Sequence, residues 1–175
     1  TLTYHFLKIV YDYKPKFWML ENVPGLAPFL HDVKYNILNA ADYGVPQRRK
    51  RCIAGRYPKP IPSHANHPNS KLVGGATLPW VKFGKIKHPD GARIISKKGI
   101  AGAFRRANKV GRKGYQFDLQ FIDDNDIMPT ILATQFHGLR ASSPVIWDNG
   151  VLRQPSLLEC VRAQSFPDDY IFKGT

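Results

Sequence analysis

Gly44-Val45-Pro46-Gln47-Arg48-Arg49-Lys50-Arg51 runs directly into Cys52-Ile53-Ala54-Gly55. Gly44 and Pro46 stop a helix and the alternation after them suits a strand, so four cations stand on a loop that leads into a strand, where sites commonly form. Arg49 and Arg51, at i and i+2, project to one face of that strand, and Arg48 and Lys50 to the other. One pair can converge on a site while the other meets solvent or phosphate. A lone basic run reads as a solvated surface turn or a generic nucleic-acid patch. Here the run has two companions.

The first is Phe17-Trp18-Met19-Leu20-Glu21-Asn22-Val23-Pro24-Gly25, an apolar strand of the kind buried in parallel sheets. It ends in a carboxylate, an amide and a turn. Open α/β sheets place their sites at such strand ends, so Glu21 and Asn22 are expected at an active edge. A carboxyl there is desolvated, which favours its protonated form. The competing reading is a carboxylate that caps a neighbouring turn or pairs with an arginine of the next strand. The second companion, Arg153 to Pro167, reads as a helix with Ser156 as N-cap and Glu159 completing a capping box. It runs through Gln164 and stops at Pro167. Glu159 and Arg162, three residues apart on that helix, read as a structural pair.

Residues 1–13 predict an amphipathic helix with Leu2, Phe6, Ile9, Val10 and Tyr13 near one face. A strand is expected over 33–38, and the interval after Gly25 is short for the crossover helix that parallel strands need. Pro58, Pro60, Pro62 and Pro68 form a stiff linker. Beyond it, periodicity is poor and glycines punctuate the chain, with a helix expected over 100–110 and a strand over 115–121. The expected domains are 1–60, 61–127 and 128–175.

The formal charge is +13, and eleven Lys or Arg against one acid, Asp90, place +10 of it between Lys82 and Lys113. Such a patch implies a polyanionic partner, double-stranded DNA above all. Its candidate contacts are Arg93, Lys97, Lys98, Arg105, Arg106, Arg112 and Lys113. With 43% hydrophobic and 12% aromatic residues the chain is expected to fold. Two cysteines, Cys52 and Cys160, fit neither a disulfide framework nor a zinc site and read as packing residues of a cytoplasmic protein. His64 and His67 lie between prolines in a solvated loop, and no metal is expected.

Together and in this order, the Glu21-Asn22-Val23 strand end, the Gln47-Arg48-Arg49-Lys50-Arg51 loop and the Arg153-to-Pro167 segment resemble the carbon-5 cytosine DNA methyltransferases. Ser156 stands where that family often has Thr, and Pro155 where it has Leu. Met128 to Gly138 resembles the family's return from its variable region. The resemblance implies an α/β fold: part of an S-adenosylmethionine-dependent, Rossmann-like methyltransferase sheet, plus a small, irregular, mostly β target recognition domain over 61–127. It implies methylation of a flipped cytosine in duplex DNA, of restriction-modification type and in the setting of the bacterial nucleoid. Carbon 5 becomes nucleophilic once a thiolate adds at carbon 6, which requires a proton at N3 and a cation near O2. The resemblance assigns Glu21 to N3, Arg51 to O2 and Arg49 to the flipped base; Asn22, from its place at the strand edge, and Gln47, read as bracing the loop, join the substrate- and DNA-binding candidates. The family takes its thiolate from a Pro-Cys-Gln motif and its donor site from a Gly-rich loop, and this sequence contains neither. The chain alone is therefore expected to be inactive, the later part of an enzyme whose other half binds S-adenosylmethionine. The alternative is a DNA-binding or specificity module derived from the same family, without chemistry of its own.

Overall fold

The computed structural model describes residues 2–67, 78–111, 119–133, 138–139 and 142–173. Helix α1 (Leu2–Tyr13) forms where the sequence pattern places it, but the packed stripe is rotated from the expected one. Phe6, Leu7 and Val10 are half-buried, while Leu2, Ile9 and Tyr13 are exposed. Leu7 packs against Leu30, Cys52 and Ala54, and the Phe6 ring lies 6.1 Å from that of Trp18.

Three strands follow: β1 (Trp18–Asn22), β2 (Tyr35–Asn39) and β3 (Lys50–Arg56), in the order β1-β3-β2 with both pairings antiparallel. The expectation of a buried, parallel β1 is corrected by this pairing. On β1, Trp18 and Leu20 turn inward and Met19 and Glu21 outward, the alternation of a strand covered on one face. Lying either side of β3, β1 and β2 run parallel to each other, so a crossover is still needed. A 3-10 segment, Pro24–Phe29, takes the place of a helix, with Leu26 and Ala27 packed onto Leu30, Cys52 and Ala54. Gly55 (φ +130) lies against the Trp18 carbonyl where a β-carbon would collide with it, so no other residue lets β1 and β3 meet there.

A short parallel pair, β4 (His64–Ala65) and β5 (Leu78–Pro79), is tied back by the Trp80 indole N–H, which donates to Asp42 Oδ1 at 2.9 Å. Next come helix α2 (Lys97–Gly111) and a second sheet of β6 (Gln120–Ile122), β7 (Pro144–Asp148) and β8 (Val151–Arg153). The described part of 61–127 is thus not mostly β, since its largest element is a 15-residue helix. Ile100, Ala103 and Ala107 recur at helical spacing, and fully buried Ala103 anchors that face. Of the strand expected over 115–121, residues 115–118 lie outside the described residues.

A second core joins Phe83, Ile86, Ile122, Met128, Ile146 and Ala163. Helix α3 (Leu157–Ala163) opens with the reciprocal Ser156–Glu159 capping box that the sequence predicts. The expected Glu159–Arg162 pair does not form. Arg162 instead binds Asp168, with Nε 2.8 Å from Oδ1. Glu159, fully buried, takes a bidentate contact from Arg153 at 2.7 and 2.8 Å and accepts from the backbone N–H of His88 and Ser156. Arg153 Nε reaches Asp148 Oδ2 at 2.8 Å, and Lys87 Nζ lies 2.9 Å from both Asp148 and Asp124. Lys87 first, then Arg153, holds the Asp148 carboxyl below the ordinary carboxylate range. This chain of ions binds the loop around residue 88 to β7, β8 and α3.

Candidate active site and nucleic-acid interface

Antiparallel register sets Glu21 opposite Ile53, and Leu38 opposite Arg51. Alternation along β3 brings Arg51 and Ile53 to the same face, so Glu21 and Arg51 share the outward side of the sheet. Arg51 Nε lies 2.7 Å from Glu21 Oε1. Arg49 completes the cluster. Burial first, and then the neighbouring Arg51 charge, holds its guanidinium below the ordinary value, with Glu21 opposing. Arginine titrates so far above neutrality that Arg49 keeps its charge.

Glu21 is therefore not the desolvated carboxyl expected at a buried strand end. Its side chain is 52% exposed, and it makes the cross-strand arginine pair that was the competing reading. The cause is the missing cover: among the described residues, helix and 3-10 segment pack on the inner face of this sheet alone.

The loop before β3 is held from two sides. Asn39 Oδ1 accepts from the Arg49 N–H at 3.1 Å, and the Arg49 carbonyl accepts from Ala40 N–H at 3.0 Å. From the far end of the chain, Met128 O accepts from Arg48 N–H at 2.8 Å, and Thr130 Oγ1 donates to Arg48 O at 2.6 Å. Residues 128–130 thus fix the backbone that presents Arg49 and Arg51. Sequence reasoning assigned Thr130 no role. Gln47 is fully buried beside Met128, with which it forms an isolated parallel bridge, and its side-chain amide makes no hydrogen bond among the described residues. Asn22 Oδ1 accepts from the Val23 N–H, which shapes the turn after β1.

Arg48 and Lys50 are exposed, and with Arg51, Pro24 and Thr130 they border one cleft of about 500 Å³. The two arginine faces separated by strand alternation thus meet at one opening. Of the cations in the basic segment, Arg93, Lys98 and Arg106 line a second cleft of about 450 Å³ along α2. Lys97 borders a third, apolar one beside Phe104 and Trp147. Arg105 is exposed on the Lys98 side of the helix. Arg112 and Lys113 lie outside the described residues.

Both thiols are buried. Cys52 packs under the sheet, and burial raises its thiol. Burial, and then the Glu159 charge, pushes Cys160 up to about 12. Among the described residues no glycine-rich turn leads from a strand into a helix, the kind of backbone that admits a nucleoside-bearing methyl donor closely. Nor is any described helix long and apolar enough to cross a membrane.

The type II methyltransferase M.XorII of Xanthomonas oryzae pv. oryzae is 36% identical over 95 residues, 43% of this chain and 22% of its own. M1.HphI of Haemophilus parahaemolyticus, also a type II methyltransferase, is 27% identical over 97% of this chain and 52% of its own length. M.MthTI of Methanothermobacter thermautotrophicus is 26% identical over 97% of this chain and 61% of its own. The chain thus spans about half the length of these last two relatives. The M1.HphI alignment runs to 207 positions against 175 residues here, so that relative carries residues with no counterpart in this chain. In fold, the chain is similar to the Entamoeba histolytica methyltransferase EhMeth (TM-score 0.51, 14% identity, 90% of this chain and 52% of that one). It is also similar to a DNMT2 mutant from Spodoptera frugiperda (TM-score 0.53, 15% identity, 90% and 58%). The family of C-5 cytosine-specific DNA methylases matches residues 1–175, and the chain belongs to that family.

Proposed function

We propose that this chain supplies the base-binding residues and the DNA-reading part of a cytosine-5 DNA methyltransferase of restriction-modification type, acting in the cytoplasm on duplex DNA. The observation that carries the reading is the Glu21–Arg51 pair with Arg49 beside it, on a loop clamped by Met128 and Thr130. A flipped cytosine entering between Glu21 and Arg51 exchanges one ion pair for two contacts, N3 to the carboxyl and O2 to the guanidinium. Base entry expels the solvent around Glu21, whose carboxyl, released from Arg51, takes a proton from solvent. It donates that proton to N3 as a thiolate adds at carbon 6, while Arg51 meets the charge developing on O2. Arg49 adds positive potential without a proton to lose.

In this reading the methyl group comes from S-adenosylmethionine, held mainly by the remaining half. The thiolate likewise comes from elsewhere, because Cys52 and Cys160 are both buried. Supplied with the remaining half, as part of the same protein or as a separate subunit, the chain should support tritium transfer from labelled S-adenosylmethionine to cytosine. Alone it should transfer none. Label transfer by the isolated chain, abolished by Cys52→Ala or Cys160→Ala, would overturn this assignment.

The two buried thiols also favour a second reading, a DNA-binding or specificity module with no chemistry of its own. An adjacent reading frame bearing Pro-Cys-Gln and a Gly-rich loop supports the first reading. Failure of any such partner to restore methyl transfer supports the second.

A further inference from the structure

Gly99 and Gly102 lie one turn apart inside α2, where glycine is less stable than alanine. Neither has a positive φ, and neither is held in place by close packing. A β-carbon on Gly102 would meet only the Arg105 guanidinium, at 3.8 Å, and one on Gly99 would touch Ile95 and Ser96 at 3.4 Å. The helix therefore forgoes side chains at two positions with room for them.

Both glycines line the 450 Å³ cleft whose walls carry Arg93, Ser96, Lys98 and Arg106, and no carboxylate is among its described lining residues. The cations are borne on fixed backbone. Ile95 N–H donates to Leu152 O, and Gln154 N–H to Arg93 O, both at 2.8 Å, which pins residues 93–95 to the β8 segment. Arg106 Nη2 donates to Leu139 O at 2.9 Å, which holds its guanidinium at the rim. Three cations around an open floor repel one another until an anion enters.

We propose that this cleft seats one backbone phosphate of duplex DNA, gripped by Arg93, Lys98 and Arg106, with Gly99 and Gly102 leaving the space that the phosphodiester occupies. The assignment rests on the DNA-recognition reading above. It makes the cleft a positioning contact, indifferent to base sequence. Free phosphate lacks the flanking charges that let a polyanion gain from counterion release, so duplex binding is the readout.

The experiment compares Gly102→Leu and Arg93→Gln with the parent, in the complete protein that contains this chain, by duplex binding across a salt series and by thermal melting. Leucine is a better helix former than glycine, so Gly102→Leu should melt at or above the parental temperature while blocking the floor. Each variant should flatten the log–log salt slope by about 1, equally on cognate and unrelated duplexes. Should Gly102→Leu melt early, Arg93→Gln decides alone. Parental slope and affinity in Arg93→Gln, loss confined to the cognate duplex, or loss on RNA with duplex DNA unaffected would each overturn the assignment. A parent that binds no duplex at low salt would instead overturn the DNA-recognition reading itself.

Discussion

Arg51 and Glu21 meet diagonally across the β1–β3 pairing, Glu21 standing opposite Ile53, with 2.7 Å between Nε and Oε1 at a place where half of the carboxyl side chain remains in solvent. Exposed pairs of this kind contribute about 0.2–1 kcal/mol. In a double-mutant cycle with Glu21→Gln and Arg51→Gln, the coupling energy for folding should stay below about 1 kcal/mol. Urea unfolding measures it. A coupling of several kcal/mol would make the pair a structural support and not a poised site.

The Arg153–Glu159 pair should behave in the opposite way. Both side chains are almost wholly buried, at 3% and 0% exposure, and Glu159 also accepts from two backbone N–H groups. Removing one partner from a buried pair costs about 3–5 kcal/mol because the other charge is stranded. Glu159→Gln should lower stability by that order, and Ser156→Ala by about 1 kcal/mol through loss of the cap. Equal small effects from both variants would mean that the ions do not hold α3 to the loop around His88.

Asp148 sets an acid limit. Its folded value is depressed, chiefly by Lys87 and then by Arg153, so its charge contributes stability that is present above about pH 4 and is lost as pH falls through the folded value. Asp148→Asn should be less stable than the parent at pH 7, and the gap in urea midpoint should narrow below about pH 4. A gap constant from pH 7 to pH 3 would contradict the depressed value.

Strand alternation and the Gly44–Pro46 break are local signals, so the strand entry carrying Arg49 and Arg51 on one face was legible, whereas the approach of Glu21 to them depends on strand pairing. Sequence did not reveal which neighbour β1 pairs with, and so it misjudged the exposure of Glu21. The Ser156–Glu159 capping box could be read because both partners lie within one turn. The second role of Glu159 could not, because Arg153 and His88 approach from other elements. For the same reason the clamp of Met128 and Thr130 on Arg48, 80 or more residues away in the chain, left no trace in the Gln47–Arg51 stretch. Asn149-Gly150 was a hairpin signal that went unread; both residues have positive φ in the turn between β7 and β8.

The thiols give a direct chemical check. Cys160, raised to about 12 and 3% exposed, and Cys52, 1% exposed, should react with iodoacetamide at pH 8 far more slowly in the folded protein than in urea. Mass spectrometry of tryptic peptides reads the ratio. Rapid alkylation of either thiol in the folded chain would restore it as a candidate nucleophile.

The most direct measurement is single-turnover methyl transfer by the complete protein carrying Arg51→Ala, with duplex binding followed in the same samples across a salt series. Loss of a positioned donor to a developing oxyanion costs about 10²–10³-fold in rate. The pocket assignment predicts a fall of at least that size in transfer, with the salt slope of binding unchanged. Transfer at close to the parental rate, or a rate loss matched by a slope flattened by about 1, would place Arg51 on phosphate or in the scaffold and contradict the account.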